Sequence, residues 1–326
     1  MANRFWVTGG TGNWNSTGEW STTSGGASGA SVPTATDNAI FDANSSTSNF
    51  YTVTIAAGQT CADLTYTPVA IDGATQFSII GTFVIAGTFS TSGTQGNRRL
   101  WLRSSTESLM RDVSIATIGT VTDVDFRDIR ITGAGGTLTG TRIGDLKGNV
   151  GITFSTPKTV FRIDAITYWH DDQWAATSGG AVGTDNFPLA QDTAVFDEST
   201  SAGTTTITTT LPYVGEIDMS ARTSALTINF NGLTLIHGNV TLGSGVTVTA
   251  SSGVKFQGRN TQVITTAGKT FAGSITVDSY GGTVELADAL TLGTSLTVNN
   301  GTFDTNGYNI TTTQLSSNNS NVRTII

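Results

Sequence analysis

The stretch VTDVDFRDIR sets three carboxylates, Asp123, Asp125 and Asp128, close together in the chain. Glycoside cleavage needs two carboxyls, about 5 Å apart for retention and wider for inversion. On a strand, Asp123 and Asp125 would point to one face with Cα atoms about 7 Å apart, a spacing that could hold a sugar between two acids. The plainer alternative is a solvated strand face. Val121, Val124 and Phe126 would then look inward, and Arg127 and Arg130 would serve as charge partners. His170-Asp171-Asp172, in the loop before Trp174, is a second candidate for a metal or an acid. Loop polarity explains it as well. Asp37 with Asp42, and Asp192 with Asp197, are a third set. A strand separates the members of each pair, which suits turn caps better than calcium ligands.

One basic cluster stands in an otherwise acidic chain. Arg98, Arg99, Arg103 and Arg111 surround Trp101. Arginines beside an aromatic can hold an anionic sugar or another subunit's carboxylates, so Arg98, Arg99, Trp101 and Arg103 form the candidate binding patch. The alternative is a coil face carrying a stacked tryptophan. No P-loop, dinucleotide fingerprint, HExxH or nucleophile elbow occurs. His170 and His237 are the only histidines and lie far apart, so a histidine metal site or a triad is not expected. No cofactor is called for, and Asp123 and Asp125 are the only catalytic candidates in a chain otherwise read as a non-enzyme.

Composition narrows the partners. Of 326 residues, 12% are charged, and the net charge is -8. Nucleic-acid binding needs a basic face, and docking to an anionic membrane needs the same, so neither is expected. No apolar run approaches the roughly 20 residues of a membrane helix. The start MANRFWVTGG has neither a basic n-region nor an apolar h-region, which predicts no secretion signal and synthesis in the cytoplasm. The single cysteine, Cys61, reads as a small buried thiol near a strand.

These residues must be positioned by strands. The phrase SGGASGASVPTATDNAIFDANS (24–45) returns as SGGAVGTDNFPLAQDTAVFDEST (178–200). Pro33 matches Pro188, Asp37 matches Asp192, Phe41 matches Phe196, Trp14 matches Trp169, and Trp20 matches Trp174. The chain is therefore a duplication. Its first module spans 1–157, with a tryptophan-rich cap over 4–55 and a strand array over 56–157. The second spans 158–326, with a cap over 158–210 and an array over 211–326. Short runs alternate apolar residues with threonine: YTVTI (51–55), QFSII (76–80), TFVIAG (82–87), VTDVDF (121–126), IRIT (129–132), GITF (151–154) and TTTITTT (204–210). LTINF (226–230), VTVTA (246–250), SITV (274–277), TVEL (283–286) and SLTV (295–298) continue the pattern. Glycine and asparagine punctuate them. The fold class is all-β, read as a β-solenoid built from two duplicated modules, with tandem β-sandwiches as the alternative.

FWVTGGTGNWNSTGEWS (5–21), followed by VPTATDNAIFD (32–42), resembles the W-x-G-G-x-G-x-W…W…P…D…F pattern of autotransporter passenger repeats. DVDFRDIRITGAG, GTRIGDLKGNVGITFSTPKTV, NFPLAQDTAVFD and IDMSART look more like Thr/Gly-rich proteins of tailed bacteriophages. That resemblance covers nearly the whole chain. It implies a virion structural protein (fibre, spike or capsid appendage), an elongated homotrimer whose expected partners are other virion proteins and host cell-surface polysaccharide. It implies no catalytic residues. A polysaccharide-degrading tailspike and a secreted β-helix adhesin are the alternatives.

Overall fold

A computed structural model describes residues 1–48, 50–67, 73–92, 96–208 and 213–326. Thr209 and Thr210 of the TTTITTT run lie outside them. In Tyr51–Ile55 the residues Tyr51, Val53 and Ile55 are buried, while Thr52 and Thr54 lie half-buried on the other face. In Val246–Ala250, Val246 and Val248 are buried and Thr247 and Thr249 are exposed. Stiff β-branched side chains suit such a half-buried pleat. Each strand then pairs in parallel with its equivalent one coil later. Tyr51 faces Thr75, Thr75 faces Leu100, and Leu100 faces Val124. One register position thus recurs up the stack, and the fold is a β-solenoid of about 12 turns. Tandem sandwiches are set aside because a sandwich is built on antiparallel pairs.

The chain forms two compact units, Met1–Thr156 and Pro157–Ile326. In the first, the chain passes back and forth between an 8-stranded and a 6-stranded sheet. In the second, three ladders run side by side. One begins with Thr159–Arg162 and Thr193–Val195, the next with Thr204–Thr208 and Leu226–Asn231, and the last with Tyr213–Val214 and Leu233–Ile236. The runs at 274–277 and 283–286 are one strand, Ser274–Leu286, that turns a corner and pairs with two ladders at once. GITF is not a strand. Within it only Ile152 makes a bridge, to Leu138.

Each unit begins with a cap, and the tryptophan-bearing segment just before the repeated phrase supplies its strands. Asn3–Trp6 pairs antiparallel with Trp20–Ser21, and Thr159–Arg162 with Trp174–Ala175. These are the only antiparallel strand pairs among the described residues. They put a two-residue edge strand at the end of each stack, which leaves little edge for another chain to extend. Behind it Trp6, Trp14, Trp20 and Phe41 are fully buried. Trp20 meets Trp14 edge-on at 4.9 Å and donates its Nε1–H to the Trp14 carbonyl at 2.7 Å. Trp174 repeats both contacts on Trp169, at 4.8 Å and 3.2 Å. Trp14 N–H donates to Thr54 O, and Trp169 N–H to Thr206 O.

One slot differs. Trp6 faces Trp20 across the first pair, but Arg162 faces Trp174 across the second. Arg162 stacks 5.0 Å over Trp174 and donates to the carbonyls of Asp164, Asp171 and Tyr168 and to the Thr167 hydroxyl. Burial pushes its pKa down to about 10.

The paired aspartates close turns. Asp37 accepts from the N–H and hydroxyl of Thr34, which hold its carboxyl below the ordinary value. Asp192 accepts from the N–H groups of Leu189 and Lys158, yet burial raises its pKa. Asp42 and Asp197 accept from the N–H groups of Asn44 and Ser199.

Phe41→Ala should cost about 3–5 kcal/mol in urea unfolding, because a buried ring leaves a cavity among three tryptophans. Ile80→Ala, at a 43% exposed position, should change stability by less than about 1 kcal/mol. Cys61 is fully buried, and desolvation drives its thiol pKa well upward. A thiol-specific chromogenic disulfide should therefore titrate no thiol in the native protein and one after denaturation.

Candidate functional site

The two candidate sets, acids and arginines, meet in one place. Arg98–Ser104 lies between Gly73–Ile79 and Val124–Arg127 in the 6-stranded sheet. Leu100 and Leu102 join the core, so Arg99, Trp101 and Arg103 project from the other face. Register sets Trp101 beside Asp125, and Arg103 beside Arg127.

The chain does not run straight through VTDVDFRDIR. Asp123 and Asp128 both take φ of 57°, and the strand between them is only Val124–Arg127. Aspartate tolerates this left-handed corner better than most residues. The two carboxylates of interest therefore arrive by different routes, Asp123 from a corner and Asp125 from a strand.

Both meet arginine. Arg99 makes a two-pronged contact with Asp125, Nε to Oδ2 at 2.5 Å and Nη2 to Oδ1 at 2.8 Å. Its Nη1 donates to Asp123 Oδ1 at 3.4 Å and to Gly96 O at 3.2 Å. Arg142 grips Asp123 in the same fork, at 2.7 and 2.8 Å. Arg142 also offers its carbonyl to Arg99 at 2.6 Å. Two planar guanidiniums thus neutralise two carboxylates with matched forks. Gly144 makes room for this, since a Cβ there would lie 1.9 Å from Asp125 Oδ1.

Beside this network, Trp101 carries the Arg103 guanidinium at 5.1 Å and that of Arg127 at 5.2 Å. Arg127 Nη1 pairs with Glu107 at 3.0 Å. Burial, with help from the like charge of Arg127, lowers the Arg103 pKa to about 10.

The face expected to be solvated is buried. Asp123 is 1% exposed, Asp125 and Arg99 are 0%, and Trp101 is 2%. The covering is local: Arg99 is enclosed by the Asp123 and Asp125 carboxylates and by the carbonyls of Gly96 and Arg142, whereas the outer-face Thr247 and Thr249 of another ladder stay exposed. Arg98 and Arg103 are half-buried, and Arg111 opens a strand of the other sheet, Arg111–Ile118. The expected charge partners also differ. Arg127 pairs with Glu107, and Arg130 forks onto Asp112 at the surface. Buried and gripped by arginine, Asp123 and Asp125 present no carboxyl to a sugar. The chemistry of this arrangement is charge compensation.

The second acidic candidate lies in the second unit. His170 is 8% exposed and stacks its ring on Tyr168, while Asp171 accepts the Tyr168 N–H. His237 is also buried. Sequence reasoning missed Arg162 and Arg142. Arg162 could have been found by extending the duplication back to Trp6. Arg142 carries no local signal, because its partner Asp123 belongs to the preceding coil.

Comparison with protein-family models, with curated proteins and with solved structures found no match.

Asp125→Ala should cost about 3–5 kcal/mol in urea unfolding, since it strands Arg99 in the interior. The double variant Arg99→Met/Asp125→Leu should recover much of that loss. Gly144→Ala should also destabilise, by displacing Asp125 from its fork.

Proposed function

We propose that this chain is a structural component of a tailed-phage virion, a fibre, spike or capsid appendage that assembles with its own copies, as a homotrimer, and with other virion proteins. It is made in the host cytoplasm and carried on the particle. The observation that carries the reading is the coincidence of resemblance and architecture. The strings that resemble Thr/Gly-rich phage proteins are segments that build the solenoids. DVDFRDIRIT turns between strands at Asp128 in the first unit, and NFPLAQDTAVFD and IDMSART carry the strands Thr193–Val195 and Glu216–Asp218 in the second. Low charge and a threonine-covered surface suit a shaft that is inert towards its surroundings. Fold alone does not choose between shaft and enzyme, since solenoids serve both. The burial of Asp123 and Asp125 favours the shaft.

Quantitative mass spectrometry of purified particles, counting this chain against the major capsid protein, tests the proposal. Copies in small multiples of three support a tail or vertex fibre, and hundreds support a capsid decoration. Absence from the particle overturns it.

A further inference from the structure

The duplication provides an internal control for the corner around Tyr168. Both caps use one frame, in which a buried tryptophan (Trp14 or Trp169) donates its N–H to a strand threonine, and the residue before it bridges that strand. In the first cap the corner residues are Thr11, Asn13 and Asn15. In the second they are Ile166, Tyr168 and His170. The frame holds with either set, so folding does not require the second one. Yet that set leaves Ile166 71% exposed and Tyr168 50% exposed. The phenol ring and the isoleucine thus expose apolar area where the first cap presents threonine and asparagine.

The two side chains border a groove of about 460 Å³ lined by Ile166, Thr167, Tyr168, Gly203, Thr204 and Thr206. The Tyr168 ring lies parallel to the His170 ring at 5.2 Å, with an interplanar angle of 7°, so the imidazole backs one of its faces. Gly203 takes φ of 149°, a region that residues with a side chain rarely adopt, and a Cβ there would also come within 2.7 Å of Ile166 Cγ1. No charged residue lines the groove. An anionic ligand would gain no ion pair in it, since the charged groups at its border are the carboxylates of Asp164 and Asp171, which accept the N–H groups of Ile166 and Tyr168.

We infer that this groove binds a pyranose ring of a neutral polysaccharide. A hexose has an apolar C–H face that suits the aromatic and isoleucine surfaces, and hydroxyls that suit the threonines. The groove also opens onto a polar track. Thr204 registers with Thr227 and then Thr247, and Thr206 with Asn229 and then Thr249. These steps are about 4.8 Å apart, so a chain of sugars finds repeated hydroxyl and amide partners beyond the first. One shallow groove binds weakly, and several copies of the chain on one particle would multiply its hold.

The inference stands whether or not the chain is found on a particle, so the two can fail separately. Affinity electrophoresis of the full chain through gels containing dextran, mannan or galactan tests it, with alginate as the charged comparator. At least one neutral polymer should retard the wild type. Tyr168→Ala should weaken that retardation about tenfold, whereas Tyr168→Phe and the first-cap variant Asn13→Ala should stay within about threefold. Urea unfolding would check that the variants remain folded. Retardation by no neutral polymer, retardation by alginate alone, or an unchanged Tyr168→Ala variant would overturn the inference.

Discussion

Every part of this protein depends on the parallel backbone ladder from coil to coil. Each coil must offer its N–H and C=O groups to the next at the same register, and must bury an apolar face at the same positions. That double demand explains the composition. Valine, isoleucine, leucine and phenylalanine fill the inner face, and threonine fills the outer one, because both must tolerate a tight pleat. It also explains the cost of starting. A first coil has no predecessor, so its outer edge would be a row of unpaired polar groups. The tryptophan cap answers this at the start of each unit, with a short antiparallel strand folded over the edge and large rings packed beneath it.

The two caps show how far one frame can drift. Trp6 and Arg162 occupy one slot by opposite means. The tryptophan fills it with apolar area against Trp20 and Phe41. The arginine fills it with a stacked cation whose protons are taken up by backbone carbonyls. A buried cation is tolerable only because nearly every proton finds an acceptor. The same freedom reaches the surface, where the second cap carries an aromatic corner in place of asparagine.

The arginine and aspartate network has a different origin. In a solenoid, a side chain on the outer face is flanked by its equivalents above and below. A charge placed there and closed over by turn backbone, as Arg99 is by the Gly96 and Arg142 carbonyls, is desolvated even though its strand faces outward, and it needs a partner in a neighbouring coil. Arg99, Asp125, Asp123 and Arg142 come from three successive coils and complete one another. A network of that kind fixes which coil stacks on which, a demand that hydrophobic repeats alone leave loose.

The sequence by itself determined what depends on neighbours along the chain. Alternation placed many of the strands, with VTVTA and YTVTI matching to the residue, though not Arg98–Ser104 or Arg111–Ile118, and the repeated tryptophans located both caps. Glycine and aspartate marked the turns, since their local chemistry is enough to end a strand. Tertiary structure decided what depends on neighbours one coil away. VTDVDF read as one strand but bends at Asp123, and GITF read as a strand but keeps only the Ile152 bridge. Asp123, Asp125 and Arg99 read as surface groups but are buried against one another. Period-2 patterning reports which side of a strand a residue lies on, and it does not report what the next coil lays over that side. Coil-on-coil register sets that covering, and the partners that meet there are far apart in the chain.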